Sequence, residues 1–336
     1  AVLLARAVPG RPVQVRWSRA DELAWSPFGS PQAVDLAARL DNGRITSWEC
    51  DIWSQGHTSR PGFAGTPGLL AASHVDGGAP ARAPVDPPPE RGAGSARGAV
   101  PSYDVPARRI TGHRLDQVAL RSSSLRSLGA FTNVFANESF MDELAESAGA
   151  DPVAYRLDHL SDPRGRAVLE AVAERAGWAS RPTGGDVGHG VAVAQYKKGG
   201  WCAVVAEVEA VADVRLRRLT LAVEVGRVVQ PDGVRNQVEG GAVQAASWTL
   251  KERVRFDTCR VTSTDWETYP VLRFSEVPVV DVVLMDRPDL PSVGSGEVAQ
   301  GPTAAAIANA LAAAVGVRVR DLPLTAEAVV AALDRR

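Results

Sequence analysis

The sequence is poor in cysteine and in long apolar runs. Its 336 residues include only three cysteines, Cys50, Cys202 and Cys259, whose wide spacing fits no zinc site, iron–sulfur cluster or haem attachment. The odd number also disfavours a disulfide framework, so we expect reduced and mostly buried thiols. No apolar run approaches the roughly 18 residues of a membrane span, so the sequence predicts no transmembrane helix.

The sequence also lacks an excess of charge of one sign. It has 37 basic and 39 acidic side chains, for a formal net charge of −2. The sequence lacks the basic excess that would indicate nucleic acid as a partner. It also lacks a block of like charges that would indicate binding to a membrane surface. The length predicts about two domains and is ample for a buried core. The composition excludes a collagen, a coiled coil and a disulfide scaffold.

Hydrophobic patterning predicts a mixed α+β fold. The strongest local signal is a β-hairpin over 33–53, in which residues 41–44 form the turn between two strands. Alternating Val13, Val15 and Trp17 predict another short strand. The remaining patterns predict helices over 1–9, 131–149, 152–160, 164–176, 237–251 and 302–315, and strands over 190–196, 201–211, 214–229 and 279–285.

Residues 76–100 differ in composition from the rest of the chain. Sixteen of these 25 residues are Ala, Gly or Pro. Such a stretch offers few apolar side chains for burial, which predicts a long surface loop or a linker. The opening run 1–5 is typical of the second half of a helix, and the chain begins with Ala rather than Met. We therefore expect a fragment or a processed product.

A single carboxylate, Glu297, lies in a small-residue loop between a predicted strand and the helix that begins near Pro302. Such a loop lets the backbone approach a ligand closely, and a carboxylate there can act as a general base if burial tunes its pKa. The alternative is that Glu297 only places negative charge near a helix N-terminus, where it is favourable. The spacing alone leaves both interpretations open.

Two further segments combine small residues with a possible ligand contact. Arg126 lies among serines just ahead of the helix at Phe131. There, backbone N–H groups and a guanidinium could bind an anion, and the alternative is a capped helix start with a solvated arginine. Gly240 and Gly241 each cost about 1 kcal/mol relative to Ala inside a helix. Tight packing is the favoured explanation for them, and direct ligand contact is the alternative.

Taken together and in this order, these segments resemble the large, molybdopterin-binding subunit of the xanthine dehydrogenase and aldehyde oxidase superfamily. The similarity is to the isoquinoline oxidoreductase and nicotinate dehydrogenase type and extends over nearly the whole chain. The motifs that carry it are LRSLGA at 125–130, NESFMDEL at 137–144, DPV at 151–153, GRVV at 226–229, QVEGG at 237–241, YPVLRF at 269–274, GE at 296–297 and GPTAAAIANA at 301–310.

The resemblance implies molybdenum-dependent hydroxylation of an N-heteroaromatic ring or an aldehyde, with water as the oxygen source. It implies that Glu297 is the general base beside the molybdenum, which the protein holds through the pterin dithiolene and not through a side chain. The residues that it implies for cofactor binding are Arg126, Ser127, Gly129 and Gly296. Leu128 falls in the substrate pocket at a position where many relatives have an aromatic side chain, which argues against aromatic stacking there.

The resemblance also implies the cofactors and partners of the enzyme. The cofactor is molybdopterin, with the cytosine dinucleotide form as an alternative, and [2Fe–2S] clusters lie on a small partner subunit. Because large subunits of this type are much longer, we expect the fold to be incomplete at its N-terminus, with a second chain supplying the missing half. A cytochrome or a flavin protein would accept the electrons. The expected compartment is the cytoplasm, with the periplasmic side of the membrane as the alternative.

These expectations divide the chain into four parts. Residues 1–75 form the hairpin-containing end of one half of a molybdopterin-binding domain, and 76–105 form the Ala/Gly/Pro-rich loop. Residues 106–178 form a helical segment with the cofactor-facing loop of Arg126, and 179–336 form an α+β portion that carries Glu297. The alternative to an enzyme subunit is a truncated or degenerate domain that folds and docks partners without a cofactor.

Overall fold

The computed structural model describes residues 1–59, 71, 73, 76–78, 83–88, 90, 92–117 and 120–335. Its helices are α1 (Val2–Ala7), α2 (Arg19–Trp25), α3 (Ala130–Ser147), α4 (Pro152–Asp158), α5 (Pro163–Arg175), α6 (Pro231–Leu250), α7 (Gln300–Val315) and α8 (Ala326–Leu333). Its strands are β1 (Gln32–Asp41), β2 (Arg44–Ser54), β3 (Ala107–Arg114), β4 (Val187–Tyr196), β5 (Gly200–Ala210), β6 (Val214–Glu224) and β7 (Val279–Met285). The mixed α+β class is confirmed.

The smaller sheet has the order β1-β2-β3 and contains the predicted hairpin. β1 and β2 are antiparallel, whereas β2 and β3 are parallel. Asn42 and Gly43 join the hairpin strands with φ angles of 47° and 77°, the positive values that a tight two-residue hairpin turn requires. Trp48, Cys50 and Ile52 alternate along β2 and are fully buried on one face, where they contribute to a hydrophobic core.

The larger sheet has the order β4-β5-β6-β7, with β6 and β7 parallel and the other pairs antiparallel. The Ala-rich helix α7 lies against β4 at backbone contact. A Cβ added at Gly188 would lie 1.9 Å from Ala310 O, and one added at Gly190 would lie 2.3 Å from Ala306 O. The small residues on both elements therefore permit the close approach that fixes the position of α7 and of the loop before it.

A buried ion pair joins α3, α4 and β4. Arg156 is fully buried, and its Nε lies 2.9 Å from Glu138 Oε2. The same carboxylate accepts hydrogen bonds from Tyr103 OH at 2.7 Å and from the backbone N–H of Val193 at 3.0 Å. Asp142 pairs with Arg156 Nη1 at 3.0 Å. Each charge in this cluster is paired and hydrogen-bonded, which is the condition for tolerating charge in a core.

Several local predictions were wrong. Residues 12–18 form no regular element, and Trp17 remains 51% exposed. β6 ends at Glu224 rather than near 229, because Gly226 turns the chain with a φ of 71°. α6 begins at Pro231, where the Gln230 side chain caps Gly233 N–H, six residues earlier than predicted.

Among the described residues, two α-helices and one β-strand were not predicted from the sequence. These are α2, α8 and β3. β3 is an edge strand whose residues are mostly exposed or half-buried, so it lacks the apolar alternation of a strand that faces a core. Its presence also means that the predicted helical segment 106–178 begins with a strand.

The cysteines are free, with Cys50 and Cys202 buried and Cys259 exposed. Burial raises the pKa of the Cys50 thiol to about 11, so this thiol stays protonated at neutral pH. Within the described ranges, the helices are too short or too polar to cross a bilayer.

Candidate active site

The loop that joins β7 to α7 carries Glu297 against the segment that precedes α3. Glu297 Oε1 accepts a hydrogen bond from the backbone N–H of Ser127 at 3.0 Å, and Ser127 Oγ donates to the Glu297 carbonyl at 3.1 Å. Ser127 and Leu128 have φ angles of 76° and 52°, a left-handed conformation that costs non-glycine residues about 1–2 kcal/mol each. This strained backbone turns the Ser127 N–H toward the carboxylate.

The second carboxylate oxygen of Glu297 faces cations and a tyrosine. Tyr196 OH donates to Oε2 at 2.6 Å, and Lys197 Nζ lies 3.4 Å from the same atom. Arg97 Nη1 lies 3.9 Å from Oε2 and donates to Tyr196 OH at 2.8 Å. Oε2 is thus surrounded by donors, whereas among the described residues Oε1 has one donor and retains an acceptor position.

These contacts hold Glu297 in its ionised form. Burial alone raises the pKa of this half-buried carboxyl. The hydrogen bonds from Tyr196 and from Ser127 N–H, together with the charges of Lys197 and Arg97, outweigh burial and lower the pKa below its usual value. At neutral pH the side chain is therefore a carboxylate that can accept a proton.

Arg126 connects three segments around Glu297. Its Nε donates to Gly296 O, its Nη1 donates to Gln244 Oε1 at 3.2 Å, and its Nη2 donates to the carbonyl and side-chain oxygens of Gln237, both at 3.1 Å. Gln237 and Gln244 belong to α6. The guanidinium therefore fixes the Glu297 loop against α6 and the segment before α3, and it is not the solvated cap that the sequence left as an alternative.

The other predicted site residues lie at different places around this arrangement. Gly296 is adjacent to Glu297 and contributes the carbonyl that Arg126 binds. Leu128 is half-buried and follows Ser127 directly. Gly129 lies against the backbone of another loop, since a Cβ added there would lie 2.3 Å from Ser95 O. The geometry accounts for Gly129 by packing against the 94–95 loop.

The two glycines in α6 differ from each other. A Cβ added at Gly241 would lie 2.8 Å from the side-chain amide of Gln300 and 3.4 Å from Arg126 Nη2, so this glycine lies in close contact with both side chains. A Cβ added at Gly240 would meet no atom within 4 Å, so packing within the described residues does not explain it.

Sequence reasoning missed Arg97, Tyr196 and Lys197. Arg97 lies inside the Ala/Gly/Pro-rich stretch, and the other two lie where β4 turns into β5. No spacing relates these positions to Glu297, so only the fold brings them together. Arg97 and Lys197 also line a groove of about 1200 Å³, which gives a small molecule access as far as these two cations.

Comparison with known proteins relates the chain to molybdopterin-binding proteins. A model of the molybdopterin cofactor-binding domain matches residues 136–278. The chain is 38% identical to a subunit of the nicotinate dehydrogenase of Pseudomonas putida, across 99% of this chain and 28% of that protein. It is 33% identical to the beta subunit of isoquinoline 1-oxidoreductase of Brevundimonas diminuta, across 96% of this chain and 40% of that protein. The chain therefore contains a molybdopterin cofactor-binding domain and is similar to subunits of molybdenum hydroxylases.

Solved structures share this fold at low sequence identity. Quinoline 2-oxidoreductase from Pseudomonas putida 86 matches with a TM-score of 0.75 and 15% identity, over 99% of this chain and 66% of that one. The Cu,Mo-CO dehydrogenase matches with a TM-score of 0.73 and 12% identity, over 99% of this chain and 65% of that one. This chain spans less than half the length of these two curated relatives.

The residues beside Glu297 fit a molybdopterin cofactor. Arg126, Gln237 and Gln244 place a guanidinium and amide groups together, and such groups bind phosphate and the polar edge of a heterocycle. The backbone at Gly240 and at Gly294 is open, because an added Cβ would meet nothing within 4 Å at either position. Arg126 and Glu297 both lie outside the residues that the family model matches, so their roles rest on this geometry.

Proposed function

We propose that this chain supplies the catalytic base of a molybdenum hydroxylase that introduces oxygen from water into an N-heteroaromatic ring or an aldehyde. The observation that carries the proposal is Glu297, a carboxylate held in its ionised form whose Oε1 accepts, among the described residues, one hydrogen bond, from the Ser127 N–H at 3.0 Å. Relatives named for nicotinate, isoquinoline and aldehyde oxidation support the two substrate classes.

In this proposal Glu297 takes up a proton at Oε1. The molybdenum cofactor, when bound, supplies the oxidising centre and activates the oxygen that derives from water. The Ser127 N–H fixes Oε1 at 3.0 Å, so the free acceptor position of this oxygen has a defined direction. A carboxylate that is already ionised requires no prior deprotonation, which suits a general base at neutral pH.

Arg126, Gln237 and Gln244 would hold the pterin in this proposal. Arg126 donates to the side-chain oxygens of Gln244 and Gln237, and it also binds the carbonyl of Gly296, the residue next to Glu297. Binding of the cofactor and placement of the base would therefore depend on the same guanidinium. Leu128, which is half-buried next to Ser127, would contact the substrate through its apolar side chain.

The electrons would leave through a partner. The three cysteines are free, and within the described part of the chain no three His, Cys, Asp or Glu side chains come together to hold a metal. We therefore place the [2Fe–2S] clusters on a small partner subunit and a cytochrome or flavin protein after it. The remainder of the cofactor cradle would come from sequence that this chain does not contain.

The variant Glu297→Gln tests the base directly. We expect the native complex that contains this chain to lose turnover by about 10²–10⁴-fold, because general base catalysis contributes that much, while its molybdenum content stays unchanged. A matched control is Glu207→Gln on β5, since the two side chains are 30% and 29% exposed for Glu207 and Glu297 respectively. Turnover in Glu297→Gln equal to that of the Glu207→Gln control would exclude Glu297 as the base.

A further inference from the structure

Arg97 and Tyr196 form a buried pair against Glu297. Each is only 8% exposed. Arg97 Nη1 donates to Tyr196 OH at 2.8 Å, and Tyr196 OH donates to Glu297 Oε2 at 2.6 Å. Arg97 is itself held by the carbonyl of Gly92, which its Nε contacts at 2.6 Å. A Cβ at Gly92 would lie 2.6 Å from Arg97 Nη2, so the backbone encloses the guanidinium closely.

The order of donors in this pair gives the tyrosine hydroxyl a fixed direction. A guanidinium has only donors, so Arg97 must occupy an acceptor position of Tyr196 OH. The hydroxyl has one proton, and Arg97 cannot receive it. The proton of Tyr196 is therefore directed at Glu297 Oε2. Neither Arg97 nor the neighbouring Lys197 ammonium can accept a proton. Arg97 and Tyr196 therefore cannot carry a proton away from Glu297 and can only hold its carboxylate in place.

We propose that Arg97 and Tyr196 are positioning residues that occupy Oε2 of Glu297 and leave Oε1 as the atom that accepts the proton. This inference rests on the proposed function of Glu297 as a base. It goes beyond that function because it assigns a role to two residues outside the catalytic loop, and it predicts how the activity depends on pH.

In the part of the chain that the structure describes, four charged or titratable side chains face the Glu297 carboxyl from the elements around it. Arg97 comes from the loop before β3, Tyr196 and Lys197 from the end of β4, and Arg126 from the segment before α3. The hydrogen bond from Tyr196 is the largest of the contributions that lower the Glu297 pKa. Its removal raises that pKa. A base works only when it is ionised, so activity is present above this pKa and is lost as the pH falls through it.

The test is Tyr196→Phe in the native complex, with kcat measured against pH. We expect the acidic limb of the profile to move upward by about one pH unit. Tyr155→Phe is the matched control, because Tyr155 is also buried and its hydroxyl donates to Gly43 O at 3.0 Å, away from the site. Its profile should coincide with that of the unaltered complex.

A second measurement does not depend on turnover. The infrared carbonyl band of protonated Glu297, assigned as the band absent in Glu297→Gln, should appear at a higher pH in Tyr196→Phe than in the unaltered complex. Arg97→Gln should also raise the pH at which this band appears, because it removes both a charge and the group that orients Tyr196. Arg97→Lys, which retains a cation that can only donate, should raise that pH less.

The outcomes separate this inference from the proposed function. If Glu297→Gln is inactive but the rate profile of Tyr196→Phe does not move, the positioning role is wrong and the base stands. The inference is likewise overturned if the infrared band appears at the same pH in Tyr196→Phe and Arg97→Gln as in the unaltered complex. If Glu297→Gln is fully active, the proposed function fails, and with it the catalytic meaning of the pair.

Discussion

At the scale of single residues, Glu297 is held by partners that differ between its two oxygens. A backbone N–H contacts Oε1, whereas a tyrosine and two cations surround Oε2. The sequence motifs pointed to Glu297 and to Arg126, because both lie in short, recognisable runs. The partners on Oε2 could not be predicted, since nothing in the patterns around Tyr196 or Arg97 indicates proximity to residue 297.

Gly240 offers a test of the cofactor surface at this scale. It lies inside α6 with open space where a Cβ would be, so Gly240→Ala should stabilise the folded chain by about 1 kcal/mol through helix propensity. If the pterin lies over this backbone, the same methyl group should lower the molybdenum content of the complex. Thermal unfolding and metal analysis on one preparation measure the two effects.

An unchanged molybdenum content in Gly240→Ala would place the cofactor away from this glycine. A variant that is more stable and fully loaded with molybdenum would show that Gly240 does not face the pterin. Gly233→Ala is a suitable control in the first turn of α6, where an added Cβ would meet only the Gln230 side chain, at 2.7 Å. This control should leave the molybdenum content unchanged.

At the scale of secondary structure, the close contact between α7 and β4 positions the Glu297 loop. The sequence predicted β7 with its observed bounds and α7 to within two residues, because both have strong and simple patterns. It did not predict that glycines on β4 face the α7 backbone. That contact joins segments more than 100 residues apart, and local pattern contains no information about it. The edge strand β3 was missed for a different reason, because its mostly exposed residues lack the apolar alternation of a strand that faces a core.

Gly190→Ala tests this contact. The new Cβ would lie 2.1 Å from Ala310 N and 2.3 Å from Ala306 O, both backbone atoms that cannot rotate away. We expect a loss of about 1–3 kcal/mol in the free energy of unfolding, with α7 displaced and turnover reduced. Gly112→Ala is the control, since it also lies in a strand but an added Cβ would meet nothing within 4 Å. It should be neutral or stabilising by about 0.5–1 kcal/mol. Equal denaturation midpoints for the two variants would contradict the importance of the α7–β4 contact.

At the scale of the whole chain, two hydrophobic cores lie on the two faces of the larger sheet. One core contains α6, α7 and one face of the sheet, and the other contains the smaller sheet, α5 and the opposite face. Helix α3 contributes to both, since Phe135 belongs to the first core and Met141 to the second. The motif NESFMDEL on α3 was recognised in the sequence only as a family signature. The structure gives it a physical role, because Glu138 is the carboxylate of the buried ion pair that joins the cores.

Arg156→Met tests whether this ion pair stabilises the molecule as a unit. Removal of the guanidinium leaves Glu138 buried at 2% exposure with no opposite charge, so the free energy of unfolding should fall by about 3–5 kcal/mol. The double variant Glu138→Gln/Arg156→Met removes the unpaired charge and should recover part of that loss. Denaturant unfolding of the unaltered chain and of both variants measures the difference. A double variant as unstable as the single one would mean that the unpaired charge of Glu138 is not what destabilises Arg156→Met, and would contradict this account of the ion pair.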